Sequence, residues 1–190
     1  WFEKYINFQN IKKPFFYEKK IDIQKIENKI KFKISKNQNF IEYSEEAFRY
    51  LKDISQKIKV NKGGLLLIDY GYSGQKMKNT LQGVLNHKFA NILEHIFNID
   101  ITHNINFNLY KNFIKKITGL DNILTTQKYF LKNMGIMERA EIVSKNQNFL
   151  KKADIYYRIR RLIDEKQMGE LFKVMLIKDK KNKFNLGFNS

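Results

Sequence analysis

An α/β fold organised around one apolar strand is what this sequence predicts, and three observations carry that reading. The first is Gly63-Gly64-Leu65-Leu66-Leu67-Ile68-Asp69-Tyr70-Gly71, four consecutive apolar residues between glycines, closing on an acid. Such a run reads as a central strand buried on both faces, with Asp69 and Tyr70 emerging at its carboxyl end, where open α/β sheets keep their ligands. The second is the segment before it: Ser44 offers an N-cap, Glu45 and Glu46 suit a helix dipole, and Ala47, Phe48, Leu51, Ile54 and Ile58 form a stripe to about Lys59. A helix feeding a buried strand is one crossover of a parallel sheet. The third is Leu171 to Ile177, an apolar run that makes a last strand.

Composition bounds the function. The 190 residues suit one domain, and a hydrophobic content of 43% is enough to bury a core. There is no cysteine, which excludes disulfides and thiolate metal sites, and His87, His95 and His103 stand eight apart without a close pair. No metal is expected. No apolar run approaches the roughly 20 residues of a membrane span, so no membrane partner is expected and the compartment reads as soluble and intracellular. The formal charge is +17, yet only five of the 36 basic residues are arginine, and the lysines are scattered. Nucleic acid is therefore a possible partner but not the favoured one. The chain opens at Trp1 without a methionine and already reads as a strand, which suggests sequence missing upstream.

In chain order, residues 1–43 carry β-type runs at Phe2 to Phe8, Pro14 to Tyr17, Ile30 to Ile34 and Phe40 to Tyr43, a small antiparallel excursion. Residues 44–136 make a helix and strand core with a long loop at 72–106, read as a functional lid. Parts of that loop can be helical, since Leu81, Leu85, Ile92 and Ile96 fall at helical spacings. Asn106 caps a helix carrying Phe107, Tyr110, Phe113, Ile114 and Ile117, and Gly119 stops it. A strand near Ile123 to Thr126 follows, then helical segments from Gln127 to Ile136 and from about Ala153 to Lys166, the latter with Arg158, Arg160 and Arg161 on its polar side. Residues 137–178 hold helices and the final strand, and 179–190 form a frayed tail.

Several segments go further than architecture. G-G-L-L-L-I-D-Y-G-Y at 63–72, T-L-Q-G-V-L-N-H-K-F at 80–89, D-I-T-H-N-I-N-F at 100–107, T-Q-K-Y-F-L-K-N-M-G-I at 126–136 and M-G-E-L-F-K-V at 168–174 occur in order. Together they resemble the MidA-like family of class I S-adenosylmethionine-dependent methyltransferases, of the mitochondrial complex I assembly type. The resemblance implies an α/β fold that is the C-terminal half of a Rossmann-like class I methyltransferase sheet, with helical and small β insertions. It also implies a protein substrate methylated on an arginine side chain, a link to respiratory complex assembly, and a cytoplasmic location, or a mitochondrial one in a eukaryote. A nucleic-acid methyltransferase, an RNA-binding module and a non-catalytic interaction fragment are the rival readings. In the loop the family's alanine and histidine places are taken by His103 and Asn104, so no role passes to His103.

The resemblance further implies S-adenosyl-L-methionine as cofactor. Its glycine-rich turn is absent: no G-x-G occurs, and Gly63-Gly64 precedes its strand rather than following it. The cofactor would therefore be bound mainly by a missing N-terminal half, leaving these residues inactive alone. Asp69 and Tyr70 are the expected catalytic pair, the carboxylate orienting a guanidinium and the phenol supplying a wall and a hydroxyl. An Asp that merely satisfies local backbone is the alternative for Asp69. Gly71, Thr80, His87, Asp100 and Thr102 are assigned to substrate contact or lid ordering. Gln127 either reaches the same cleft or serves as a buried amide pinning the following helix.

Overall fold

The computed structural model describes residues 1–94 and 96–188, so the expectations for His95 and for the last two residues of the tail lie outside the described residues. In chain order the strands and helices are β1 (Phe2–Asn7), β2 (Phe15–Lys20), α1 (Ile23–Ile30), α2 (Glu45–Asn61), β3 (Gly64–Tyr72), β4 (Gln82–Leu85), β5 (Lys88–Ala90), β6 (Asp100–Thr102) and β7 (Ile105–Asn106). There follow α3 (Phe107–Phe113), which runs into a π-helical turn at Ile114–Thr118, then β8 (Asp121–Thr126), α4 (Gln127–Asn133), α5 (Ile136–Ser144), α6 (Phe149–Ile163), α7 (Met168–Leu171) and β9 (Phe172–Lys178). The chain divides into two compact units, one of Trp1–Glu45 with Lys76–Asn104, the other of Glu46–Gln75 with the residues from Ile105 onward.

In the first unit β1 and β2 pair antiparallel from Phe2 opposite Lys20 to Asn7 opposite Phe15. The expected strands at Ile30 to Ile34 and Phe40 to Tyr43 do not form. Asp22 instead caps α1 by accepting from Gln24 N–H at 3.0 Å, and Lys31 closes the helix in the left-handed region. Beyond it the Glu27 carboxylate accepts from Ile34 N–H, Ser35 N–H and the Ser35 hydroxyl, each at 2.8 Å, so these donors go to a side chain instead of a neighbouring strand. Burial works to raise the Glu27 pKa, but the hydrogen bonds from Ser35 and Ile34 outweigh it and hold the pKa below its ordinary value.

The segment expected to be a partly helical lid is a small antiparallel sheet in the order β5-β4-β6. β4 and β5 form a hairpin whose turn residues, Asn86 and His87, both take positive φ, as a two-residue turn of the mirror-image type requires. The four-residue spacing of the leucines had mimicked a helix, but strand pairing around that turn determines the conformation.

The second unit holds a four-stranded mixed sheet, β7-β3-β9-β8. β9 runs antiparallel to both neighbours, and β3 meets β7 in parallel only at Gly71 and Tyr72. The simple parallel crossover expected from α2 and β3 is therefore corrected: the long partner of β3 is antiparallel, and among the described residues Leu65 to Tyr70 pair on one edge only. The expectation that β3 is buried on both faces also fails. Leu65 and Leu67 are half-buried while Leu66 and Ile68, on the other face, are exposed.

α3 lies on the Leu65 and Leu67 face, since Asn122, which shares that face through the β8–β9–β3 register, donates to Lys111 O at 3.3 Å. There Phe48 of α2 stacks on Phe113 with centroids 4.3 Å apart and meets Tyr110 edge-on at 5.9 Å. Asn106 caps α3 as expected, accepting from Leu109 N–H at 3.0 Å, and Gly119 closes the following turn at φ 69°. The expected single helix after Gln127 is two, broken at Gly135, and the next begins earlier than expected, with Asn148 as its cap. Between Lys178 and Phe188 the tail is packed, not frayed. Buried Lys178 donates to Phe184 O at 2.7 Å and to Asn185 Oδ1, and Phe188 lies against Phe130 at 5.3 Å.

Candidate functional site

The carboxyl end of β3 is built by three local decisions. Gly71 lets β7 approach, because a Cβ there would sit 2.2 Å from Ile105 O and 2.9 Å from the Phe107 ring. With β7 drawn in, Asn106 turns the chain into α3 and sets Tyr110 near Asp69. The antiparallel register places Lys173 opposite Asp69 and Phe172 opposite Tyr70, whose rings meet edge-on at 5.7 Å.

Asp69 and Tyr70 thus stand, as the sequence suggests, at the end of the strand, side by side but on opposite faces of the sheet. Asp69 Oδ1 accepts from Tyr70 N–H at 2.8 Å, a local bond that steadies the carboxylate. Burial raises the Tyr110 phenol's pKa above its ordinary value, and the Asp69 charge adds to the effect, so Tyr110 stays a neutral hydroxyl. Across the sheet, Lys173 Nζ donates to Glu170 O and lies 4.0 Å from Glu170 Oε2. The Asp69 carboxylate, at the carboxyl end of β3, can accept hydrogen bonds from a cationic, donating group, while the Lys173 ammonium is taken up by Glu170.

Gln127 belongs to the same unit, but its Nε2 donates to Leu162 O at 2.9 Å, which supports the pinning alternative, with α6 as the helix pinned. Thr80, His87, Asp100 and Thr102 belong to the other unit. There Thr80 N–H and its hydroxyl donate to the Glu42 carboxylate, and Asn104 N–H donates to Thr80 Oγ1 at 2.9 Å. Thr102 Oγ1 accepts from Gln82 Nε2 at 3.1 Å, tying β4 to β6. Asp100 is exposed, and His87 is the exposed tip of the β4–β5 hairpin. The structure thus gathers Thr80 with Glu42 and Asn104 as a clamp on the loop, and sets His87 and Asp100 apart from it.

Sequence reasoning missed Glu42, Tyr110 as a neighbour of the acid, and Lys173. Glu42 is 38 residues from Thr80, and no local pattern pairs them. Lys173 could have been found by aligning the two apolar strands antiparallel, which puts it opposite Asp69.

Among the described residues no group of three or more His, Cys, Asp or Glu side chains could hold a metal ion, and no helix is long and apolar enough to cross a membrane. An S-adenosyl cofactor needs a strand-end glycine open to its backbone approach. Gly71, the glycine at the end of β3, is filled by Ile105 and Phe107 instead, so these residues do not form that cradle.

Residues 1–126 match the family described as "Putative S-adenosyl-L-methionine-dependent methyltransferase". The chain is 29% identical over 136 residues to the zebrafish (Danio rerio) mitochondrial protein arginine methyltransferase NDUFAF7, covering 70% of this chain and 31% of that protein. It is 30% identical over 140 residues to the human protein of the same name, covering 70% of this chain and 30% of that one. The chain thus spans about a third of the length of these relatives. Among solved structures, a COG1565 superfamily member from Burkholderia thailandensis, a likely methyl transferase by its description and bound to S-adenosyl-homocysteine, superposes with a TM-score of 0.71 at 20% identity, over 100% of this chain and 48% of that one. A second COG1565 structure from the same organism gives 0.72 at 20% identity over 100% and 50%. These likenesses establish a Rossmann-like α/β fold, and the match over 1–126 establishes the family: the chain belongs to the S-adenosyl-L-methionine-dependent methyltransferases.

Proposed function

We propose that this chain is the C-terminal part of a protein-arginine methyltransferase, with Asp69 as the carboxylate that orients the substrate guanidinium. The reading rests chiefly on one observation: an acid stands at the carboxyl end of β3, its Oδ1 held by Tyr70 N–H, in a chain akin to relatives named as arginine methyltransferases. A guanidinium offers planar N–H donors that a carboxylate accepts in pairs, and holding one nitrogen in line with an incoming methyl group is the main task of such an enzyme. Tyr70, on the other face of β3, supplies a wall with Phe172. The Glu42, Thr80 and Asn104 clamp orders the segment after β3, the role assigned here to Thr80, while Gly71 makes room for β7.

The methyl donor would be held mainly by residues outside this chain. Support comes from the packed Gly71 and from the edge of β3 along Leu65 to Tyr70, which is unpaired among the described residues and where the sheet can continue. These residues alone are then expected neither to bind S-adenosylmethionine nor to turn over. Respiratory complex assembly in the mitochondrial compartment of the relatives, and the division into a core with accessory segments, belong to the same proposal.

The test is Asp69→Asn in the full-length protein, with melting temperature, cofactor affinity and methyl transfer to arginine-containing protein measured on one preparation. Loss of the charge should lower turnover by roughly 10²-fold or more with cofactor affinity and melting temperature held. A lowered melting temperature with activity reduced only in proportion to folded protein would return Asp69 to a local structural role.

A further inference from the structure

Residues 37–42, which include most of the strand that did not form, lie beside residues 76–80, the approach to β4, within one compact unit. Lys76 Nζ donates to Asn37 O, Met77 N–H donates to Gln38 Oε1 at 2.8 Å, and Thr80 N–H donates to Glu42 Oε1 at 3.2 Å. These partners are 39, 39 and 38 residues apart, so the two stretches run side by side in the same direction. A parallel strand pair would make such contacts with backbone carbonyls. Here neither stretch is a strand, and two of the three acceptors are side-chain oxygens, so side chains set the register of this pair.

Thr80 is where the bonds converge. Its hydroxyl donates to Glu42 Oε2 and accepts from Asn104 N–H at 2.9 Å, which extends the β4–β6 register two residues beyond Gln82 opposite Thr102. Glu42 is half-buried, and its two oxygens go to the two donors of this one residue. Among the described residues it forms no ion pair, although the chain has 36 basic residues. A carboxylate that takes neutral donors in so basic a chain serves position instead of charge balance, and bonds to an ionised acceptor are the stronger kind.

We propose that Glu42 is a positioning residue. Through Thr80 it fixes residues 76–80 and the exit from β6 at Asn104 before any substrate arrives. A loop ordered in advance spares substrate binding the entropy of ordering it. Glu42 acts through Thr80 alone, so the saving is equal in the ground state and the transition state and is read in KM, not kcat. The consequence for methyl transfer rests on the function proposed above. The clasp itself does not.

The test uses the full-length protein with Thr80→Val, Thr80→Ser, Glu42→Gln and the double variant Glu42→Gln with Thr80→Val. Amide hydrogen exchange is read at Thr80 and Asn104, and kinetics are read with a synthetic arginine-glycine repeat peptide as methyl acceptor. Thr80→Val, which removes the hydroxyl and keeps the shape, should speed exchange at Asn104 and raise the peptide KM, each by at least about tenfold, with kcat and cofactor affinity held. Thr80→Ser keeps the hydroxyl and should recover most of both. Glu42→Gln should act in the same direction, and the double variant should be little worse than Thr80→Val, because the two substitutions remove the same bond.

Unchanged exchange at Asn104 in Thr80→Val would overturn the clasp, and so would additive effects in the double variant. Faster exchange with an unchanged KM, or a fall in kcat with KM held, would overturn the positioning role. A wild-type protein that methylates no acceptor would sink the catalytic reading, while exchange at Asn104 would still decide the clasp, so the two fail separately.

Discussion

Ile68 of β3 and Val174 of β9 are register partners on one face of one sheet, yet Ile68 is 47% exposed and Val174 is 0% exposed. The next pair repeats the contrast, with Leu66 at 44% and Leu176 at 5%. Both strands hold four consecutive apolar residues, but only β3 reads from sequence as buried on two sides. β9 is the strand that is so buried, flanked by β3 and β8 and with the packed tail returning to its end through Lys178. β3 is not, because among the described residues Leu65 to Tyr70 have a neighbour on one edge only. An apolar run thus records the environment a strand is made for; the neighbours present determine how much of that environment exists.

The largest way to test this contrast is to place the same charge on each partner. Val174→Asp buries an unpaired carboxylate and should unfold the unit, a loss of more than about 4 kcal/mol, whereas Ile68→Asp should cost about 1 kcal/mol or less in this chain. Denaturant melts of the two variants check it, and equal losses would show that β3 is covered in solution.

Next in size is Gly71→Ala, which drives a methyl group into Ile105 O and should cost about 2–4 kcal/mol by expelling β7 from β3. Circular dichroism melts would read the loss; a change under about 0.5 kcal/mol would mean that β7 is not held there.

A gentler pair is Leu176→Ala against Leu66→Ala. The first should lose about 3 kcal/mol through its cavity and the second about 1 kcal/mol, since an exposed leucine leaves no void. The smallest expected effect needs no substitution. Amides of Leu65 to Tyr70 that are not bonded to β9 should exchange with solvent quickly, while those of Val174 to Ile177 exchange slowly. Slow exchange along both edges of β3, accompanied by a doubled mass in light scattering, would instead indicate that copies of the chain pair there.

What was legible in the sequence, and what was not, follows the distance over which each decision is made. The Asn106 cap, the Gly119 stop, the strand at β8 and the position of Asp69 at a strand end are settled by residues within a turn or two, and the structure has them as read. Ile30 to Ile34 was misread because β-type residues there lose their backbone donors to Glu27, and residues 81–96 because helical spacing competes with a hairpin turn at Asn86 and His87.

The sequence by itself determined the local chemistry and, through ordered motifs that match a methyltransferase family, the kinship of the chain. Only the tertiary structure decided that β9 runs antiparallel between β3 and β8, that Lys173 stands opposite Asp69 in the register, that Glu42 clamps Thr80, and that β3 has an open edge among the described residues. Caps and turns are bonds between residues three or four apart, so composition at those few positions suffices. Burial, register and charge pairing depend on residues tens to more than a hundred positions away, and their free energy exists only once the chain has brought them together.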